Sequence, residues 1–356
     1  MQLWTTTVAS PRGTMRVAQA AEAAGWDGLL VVDSQNLSGD PYIALALAAT
    51  VTTRLGLGTG VANSVTRHAA VTANSITCVN RVSNGRAVLG IGRGDSALAH
   101  LGRAPARLAQ FERHLRQLQT YLAGGAVPFD DIDIPSEVAP PMSVLELADA
   151  PPASRIAWIA EGAKVPVEVA ASGPKVIAIA ARHAERVMFT LGADVERIQW
   201  GIDLARHARR DAGLDPGAIR FGAYVNCASH AEVAVARGLV RGGLTTFARF
   251  SVMHGRASGP LGSADREVLR DLRQTYDMRA HTRADSRQAG VLTDAFVDRF
   301  AIVGRPDACV ERLRALALLG LDRIAISGGT RGADPAAAAE ARALFEKEVL
   351  PAMRKA

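Results

Sequence analysis

Cysteine is scarce in this chain. Cys78, Cys227 and Cys309 lie far apart, with no C-x-x-C pair. That spacing argues against a zinc cluster and for a reducing, cytoplasmic setting. Metal-ligand spacing is also missing from the histidines: none of the eight stands two or four residues from another, so no metal is expected. Lysine is rare, only four of the 41 basic residues. The arginines are scattered among acids, and aromatics make up 5% of the chain. Without a dense basic run interleaved with aromatics, nucleic-acid binding is not expected. The net charge of +6 still leaves room for an anionic small ligand. No apolar run approaches the roughly 18 residues of a membrane span. The opening "MQLWTTTVAS" has no basic region of a signal peptide. G-x-S-x-G and phosphate-loop motifs are absent too.

What the sequence does contain is rhythm. Of its 356 residues, 48% are hydrophobic, enough for one large core. Short apolar runs alternate with longer helical patterns. The runs are "LWTTTVA", "WDGLLVVD", "RLGLGTGV", "RAVLGIG", "VPVEVAAS", "ERVMFTLG", "IRFGAYVNCA" and "LDRIAISGG". The helix after the first is bounded by Ser10 as N-cap, Pro11 in its first turn and Gly25 as its stop. Eight strand–helix units imply a parallel sheet with right-handed crossovers. They suit an α/β fold of the (β/α)8 TIM-barrel type, a single domain over 1–356; an open doubly wound sheet is the alternative. The rhythm breaks after the fourth and seventh strands. Residues 126–164 are rich in Pro, Asp and Ser, and 245–297 look helical without a clean strand. Both read as insertions, expected to cover the site as long βα loops do.

In such a barrel the chemistry sits at the C-terminal strand ends. Asp33 and Ser34 follow strand two. Gly60, Val61 and Asn63 follow strand three. Gly92, Gly94 and Asp95 follow strand four, and Ser172, Gly173 and Lys175 follow strand five. "ASGPK" is an anion signal: a strand ends, small residues follow, and Pro174 opens a helix whose free N–H groups and dipole favour negative charge. "ISGG" after strand eight is a second turn of that type. The glycines of "GIGRGDS" are not a dinucleotide fingerprint. They lie on the fourth unit, and Asp95 and Ser96 stand where the motif continues to glycine. Gly92 and Gly94 are expected to give a flat ligand close backbone approach. Asp95 is expected as a partly buried acid able to donate a proton.

The blocks "AEAAGWDGLLVVDS", "RLGLGTGVANSVTRHAAVTANSIT", "SNGRAVLGIGRGD", "ASGPKVIAIAA", "RFGAYVNCAS" and "IVGRPDACVERLRALALLGLDRIAISGG" run in order along nearly the whole chain. Together they resemble the bacterial-luciferase-like superfamily of flavin and deazaflavin oxidoreductases, and within it the methylenetetrahydromethanopterin reductase branch. The resemblance implies a cis peptide between Gly60 and Val61 beneath the cofactor's middle ring. It implies phosphate contacts from Ser172, Gly173 and Lys175, and a hydrogen bond from the ring edge to Asp33. Many relatives read Asp-His after strand two. Here the pair is Asp33-Ser34, and a serine hydroxyl is no general base at neutral pH. The implied activity is hydride transfer with coenzyme F-420 to a small organic substrate, reducing C=C or C=N, with Asp95 supplying the proton. The alternatives are an FMN-dependent monooxygenase fed by a separate flavin reductase, and a cofactor-free barrel with a binding role. A homodimer through the second and third helices is implied by the same resemblance.

Overall fold

The computed structural model describes residues 1–160, 162–253, 255–327 and 329–354. Eight parallel strands form its centre: β1 (Gln2–Val8), β2 (Gly28–Val32), β3 (Gly56–Thr59), β4 (Ala87–Gly92), β5 (Val167–Ala171), β6 (Arg186–Phe189), β7 (Arg220–Ser229) and β8 (Arg323–Ser327). Each pairs with the next in sequence, and β8 returns to β1 through Gln2↔Arg323 to Thr5↔Ile326. The sheet is therefore closed. Strands such as "GLLVV" are apolar without alternation because barrel and helices bury both faces.

The helices between strands are α1 (Pro11–Ala24), α2 (Pro41–Thr50), α3 (Ala69–Val82), α4 (Leu108–Leu122), α5 (Pro174–His183), α6 (Val195–Asp211) and α7 (Val233–Phe250). Ser10 stands at the N-cap of α1 as expected, but its hydroxyl makes no capping bond. The link there runs the other way, with Ser10 N–H donating to Thr14 Oγ1 at 3.1 Å. Gly25 ends α1 at φ +93°, a left-handed turn that suits glycine.

Trp4, Leu30, Val88, Met188, Tyr224 and Ala325 fill the barrel. Trp4 explains two glycines on the neighbouring strands. A Cβ at Gly28 would lie 2.2 Å from its ring, and one at Gly56 would lie 2.6 Å away. Below this layer, at the N-terminal ends of the strands, buried Glu168 accepts from Arg186 and Arg323. The Arg323 guanidinium lies 3.9 Å from the Trp4 ring centre. The bottom is thus plugged by paired charge.

Two stretches depart from the alternation. After α4, Ala126–Val127 pairs antiparallel with Ser154–Arg155, with single helical turns between. After β7, α7 runs on to Phe250, into the stretch 245–297 that the sequence pattern set apart. It packs with α8 (Ser263–Thr275) and α9 (Asp294–Phe300) around a small core of its own that includes Leu244, Leu269, Leu272, Phe296 and Phe300. A short strand, Ile302–Gly304, then pairs beside the end of β7. The sequence pattern did not reveal it. Helix α10 (Pro306–Leu318) leads into β8, and α11 (Pro335–Leu344) follows it. No helix among the described residues is long and apolar enough to cross a membrane.

Candidate active site

The β2 exit delivers Asp33 into the mouth of the barrel, 4% exposed. Its Oδ2 accepts from Arg67 Nη1 at 2.7 Å, and Arg67 Nη2 reaches Asp40 at 2.7 Å. The guanidinium also covers the Tyr42 ring at 5.0 Å. Burial pushes the Asp33 carboxyl above its ordinary range, and Arg67 opposes the rise. The second oxygen, Oδ1, is buried without a partner. A buried acceptor left open in this way is a place for a ligand donor.

Arg67 is held there by the loop after β3. Asn63 Oδ1 accepts from the N–H groups of Val65 and Thr66 at 3.0 and 2.9 Å, and its Nδ2 donates to Thr66 Oγ1 at 2.9 Å. Both ends of the Asn63 amide, a residue expected at the cofactor site, bind its own loop, which is how an asparagine fixes a turn. The Gly60–Val61 peptide is cis. A Cβ at Gly90 would sit 2.1 Å from the Thr59 carbonyl oxygen, and one at Gly92 would sit 3.3 Å from Val61 Cγ2. Gly94 has φ +88°, and its Cβ would strike Leu98 Cδ1 at 2.6 Å. The turn and Leu98 thus each demand glycine at 94.

Ser34, 2% exposed, places its Oγ 3.2 Å from Ser96 Oγ, joining the β2 and β4 exits. Asp95 lies beside them, but its Oδ1 accepts from Arg249 Nη2, at the last turn of α7. Asp95, expected as the proton donor, is thus held in an ion pair with Arg249. Arg249 extends over the Tyr276 ring at 4.5 Å. The Tyr276 hydroxyl is 2.8 Å from His281 Nδ1 and 3.5 Å from Thr246 Oγ1. Next to Thr246, Phe247 stacks on Tyr224 with ring centres 6.0 Å apart. The stretch from α7 to His281 therefore closes one side of the mouth with polar groups.

Across the mouth, β5 ends in Ala171, and Gly173 occupies the N-cap position of α5 with Pro174 at the first turn. A Cβ added at Gly173 would meet nothing within 4 Å. Lys175 is exposed there. Ser172 Oγ donates to the Phe250 carbonyl at 3.3 Å, tying this turn to the end of α7. The first-turn N–H groups of α5 face an open cradle, the arrangement an anion needs. In the turn after β8, Ser327 O accepts from Asn226 Nδ2 at 3.1 Å; Gly328 lies outside the described residues.

Arg67, Arg249, Tyr276 and His281 were not found in the sequence. Arg67 sits inside "SVTRHAAV", directly after the strand-three turn, where a cation next to Asp33 was the available signal. The other three lie in or beside a stretch whose local pattern says nothing about what it packs against.

A family model described as luciferase-like monooxygenase matches residues 2–323. The chain belongs to the luciferase-like monooxygenase family. Within reach of this luciferase-like chain are two proteins named 5,10-methylenetetrahydromethanopterin reductase. The one from Methanolobus tindarius is 26% identical over 313 residues, covering 86% of this chain and 87% of the relative. The one from Archaeoglobus fulgidus is 28% identical over 352 residues, covering 94% and 93%. Among solved structures, the coenzyme F-420-dependent tetrahydromethanopterin reductase from Methanopyrus kandleri superposes with a TM-score of 0.72 at 19% identity, over 98% of each chain. At that identity the likeness speaks for the fold.

Proposed function

We propose that this luciferase-like barrel is an oxidoreductase that passes hydride from reduced coenzyme F-420 to a small organic substrate. One observation carries the reading. An unpartnered buried acceptor, Asp33 Oδ1, and an open anion cradle at Ser172, Gly173 and Lys175 stand on strand ends of one mouth. A flat ring bearing an N–H edge and a phosphate-bearing tail needs both. The naming of the reductase relatives points the same way. When bound, a reduced deazaflavin supplies a hydride and reacts poorly with oxygen; the protein orients the partners and excludes water.

Asp33 would accept from the ring edge, with Arg67 holding the carboxylate in place. Gly60, Val61 and Gly92 would support the ring. The α5 N–H groups, Ser172 and Lys175 would hold the phosphate. Ser34 and Ser96 would offer hydroxyls to the substrate side. The chain acts in the cytoplasm as a homodimer in this reading, through the outward faces of α2 and α3. Titration of the purified protein with F-420 and with FMN tests the assignment. Fluorescence of F-420 alone should change on binding. Tight binding of FMN with no response to F-420 would replace this reading with that of a two-component monooxygenase. Binding of neither would leave a barrel without cofactor.

A further inference from the structure

The side of the mouth closed by Tyr276 and His281 is built with more care than a cover requires. His281 is followed by Thr282 at φ +62°. A β-branched residue in the left-handed region is strained, and such strain persists only where neighbours enforce it. They do so here. Arg331 N–H donates to Thr282 O at 2.8 Å, and Ala284 N–H donates to Arg331 O at 2.9 Å. Gly242 of α7 leaves the space beneath: a Cβ there would lie 2.5 Å from Thr282 O. The imidazole is thereby clamped against the Tyr276 hydroxyl at 2.8 Å, while Arg249 covers the tyrosine ring. Tyr276 is half-buried.

We propose that Tyr276, held by His281, is the proton donor for reduction of a carbon–carbon double bond conjugated to a carbonyl. The inference rests on the hydride-transfer reading above. Reduction of a C=N cation needs no acid, because hydride alone neutralises it. A conjugated C=C bond does need one. Hydride addition at the β-carbon breaks the π bond and leaves its electron pair as an enolate, and the two electrons come from the reduced deazaflavin. Tyr276 then gives its proton to the α-carbon, the protonated His281 returns its Nδ1 proton to the phenolic oxygen and becomes neutral, and solvent restores the proton to the imidazole. Asp95 Oδ1 already accepts from Arg249, which leaves the tyrosine hydroxyl as the phenolic O–H of this cluster.

The hydrogen-bond direction decides when the device works. Neutral His281 with its proton on Nε2 accepts the tyrosine proton at Nδ1. Protonated His281 donates to the oxygen and turns the tyrosine hydrogen outward. Asp95, Arg249, His100 and Arg331 face the imidazole, and Thr246, Arg249 and Asp95 face the tyrosine. Burial first, then the cations, hold His281 below its ordinary 6.5, against Asp95. Reduction should therefore fall as pH rises through that lowered value.

Two readouts test this. Nitrogen-15 NMR of the histidine rings in the protein without coenzyme should show His281 titrating below pH 6.5, with its Nδ1 resonance displaced in Tyr276→Phe. Oxidation of reduced F-420 by cyclohexenone should then be slowed about 100-fold in Tyr276→Phe, with F-420 affinity unchanged. His281→Asn should be slowed about 10-fold with a flattened pH profile, a change that mere packing would not produce. The proposal is overturned by any of three results while F-420 still binds: no oxidation by cyclohexenone, wild-type rates in Tyr276→Phe, or an Nδ1 signal indifferent to that substitution. Failure of F-420 to bind at all would instead sink the underlying hydride-transfer reading, and this proposal with it.

Discussion

Two buried side chains set the tone at the level of single residues. Burial raises the Asp33 carboxyl, and Arg67, 2.7 Å away, opposes the rise. Removing one partner of such a pair leaves a charge uncompensated, typically at a cost of about 3–5 kcal/mol. Arg67→Met should therefore lower the free energy of unfolding in urea by about that amount and weaken coenzyme binding. Adding Asp33→Asn should recover much of the stability but not the binding. A single Arg67→Met variant as stable as wild type would show that Asp33 has another partner. His114 is the second case. Its Nε2 is buried without a partner. Burial, with a smaller push from His68, lowers its pKa to about 4. The unfolded chain takes up that proton near pH 6.5, the folded one only near 4, so over this window the unfolded state binds more protons. Stability is full above 6.5, falls as the pH drops toward 4, and levels off below. The integrated loss is about 3 kcal/mol. Denaturation midpoints at pH 7.5 and 4.5 should differ accordingly in the wild type and much less in His114→Leu; equal differences would remove His114 from the account.

For strands and helices, glycine gives a contrast that separates architecture from site. Gly28 and Gly173 both carry ordinary negative φ, yet Gly28 abuts Trp4 at 2.2 Å and Gly173 faces empty space. Gly28→Ala should destabilise the barrel by about 1–3 kcal/mol or more through overpacking. Gly173→Ala should leave the melting temperature unchanged and weaken F-420 binding, because its methyl enters the cradle of α5. Loss of stability with intact binding in Gly173→Ala would discard the cradle. The same contrast explains what could be read in advance. The eight strands, the α5 turn and Asp33 were legible because each is local: an apolar run, a stop residue, a polar group directly after the strand. Gly94 was legible as a position, but the approach of Leu98 that also demands glycine there was not. Asp95 was legible as a position but not as an ion pair, because Arg249 lies 154 residues further on. Tyr276 and His281 were invisible for the same cause. Which helix folds back over the mouth is decided by packing around Phe296 and Phe300, and periodicity within one helix does not encode it.

On the scale of the whole molecule, α2 carries the unresolved surface. "PYIALALAAT" has no charged residue, and a helix apolar all round is normally buried all round. Here one face packs on the barrel, while Ile43 stays 57% exposed and Val71 of the adjoining α3 stays 51% exposed. A second copy of the chain on this face would cover both. Such an interface would also reach the site. Ile43 N–H donates to Asp40 Oδ1 at 3.1 Å, while Asp40 Oδ2 accepts from Arg67, which holds Asp33. Anything that steadies the start of α2 thus steadies the carboxylate proposed to grip the ring. Ile43→Glu with Val71→Glu should convert a dimer to a monomer by light scattering. The monomer should bind F-420 more weakly, by about tenfold, or 1.4 kcal/mol, with its far-ultraviolet circular dichroism unchanged. A dimer that survives both substitutions would move the interface elsewhere. A monomer that binds F-420 as tightly as the dimer would show that the hydrogen-bonded line from Ile43 to Asp33 holds without a partner.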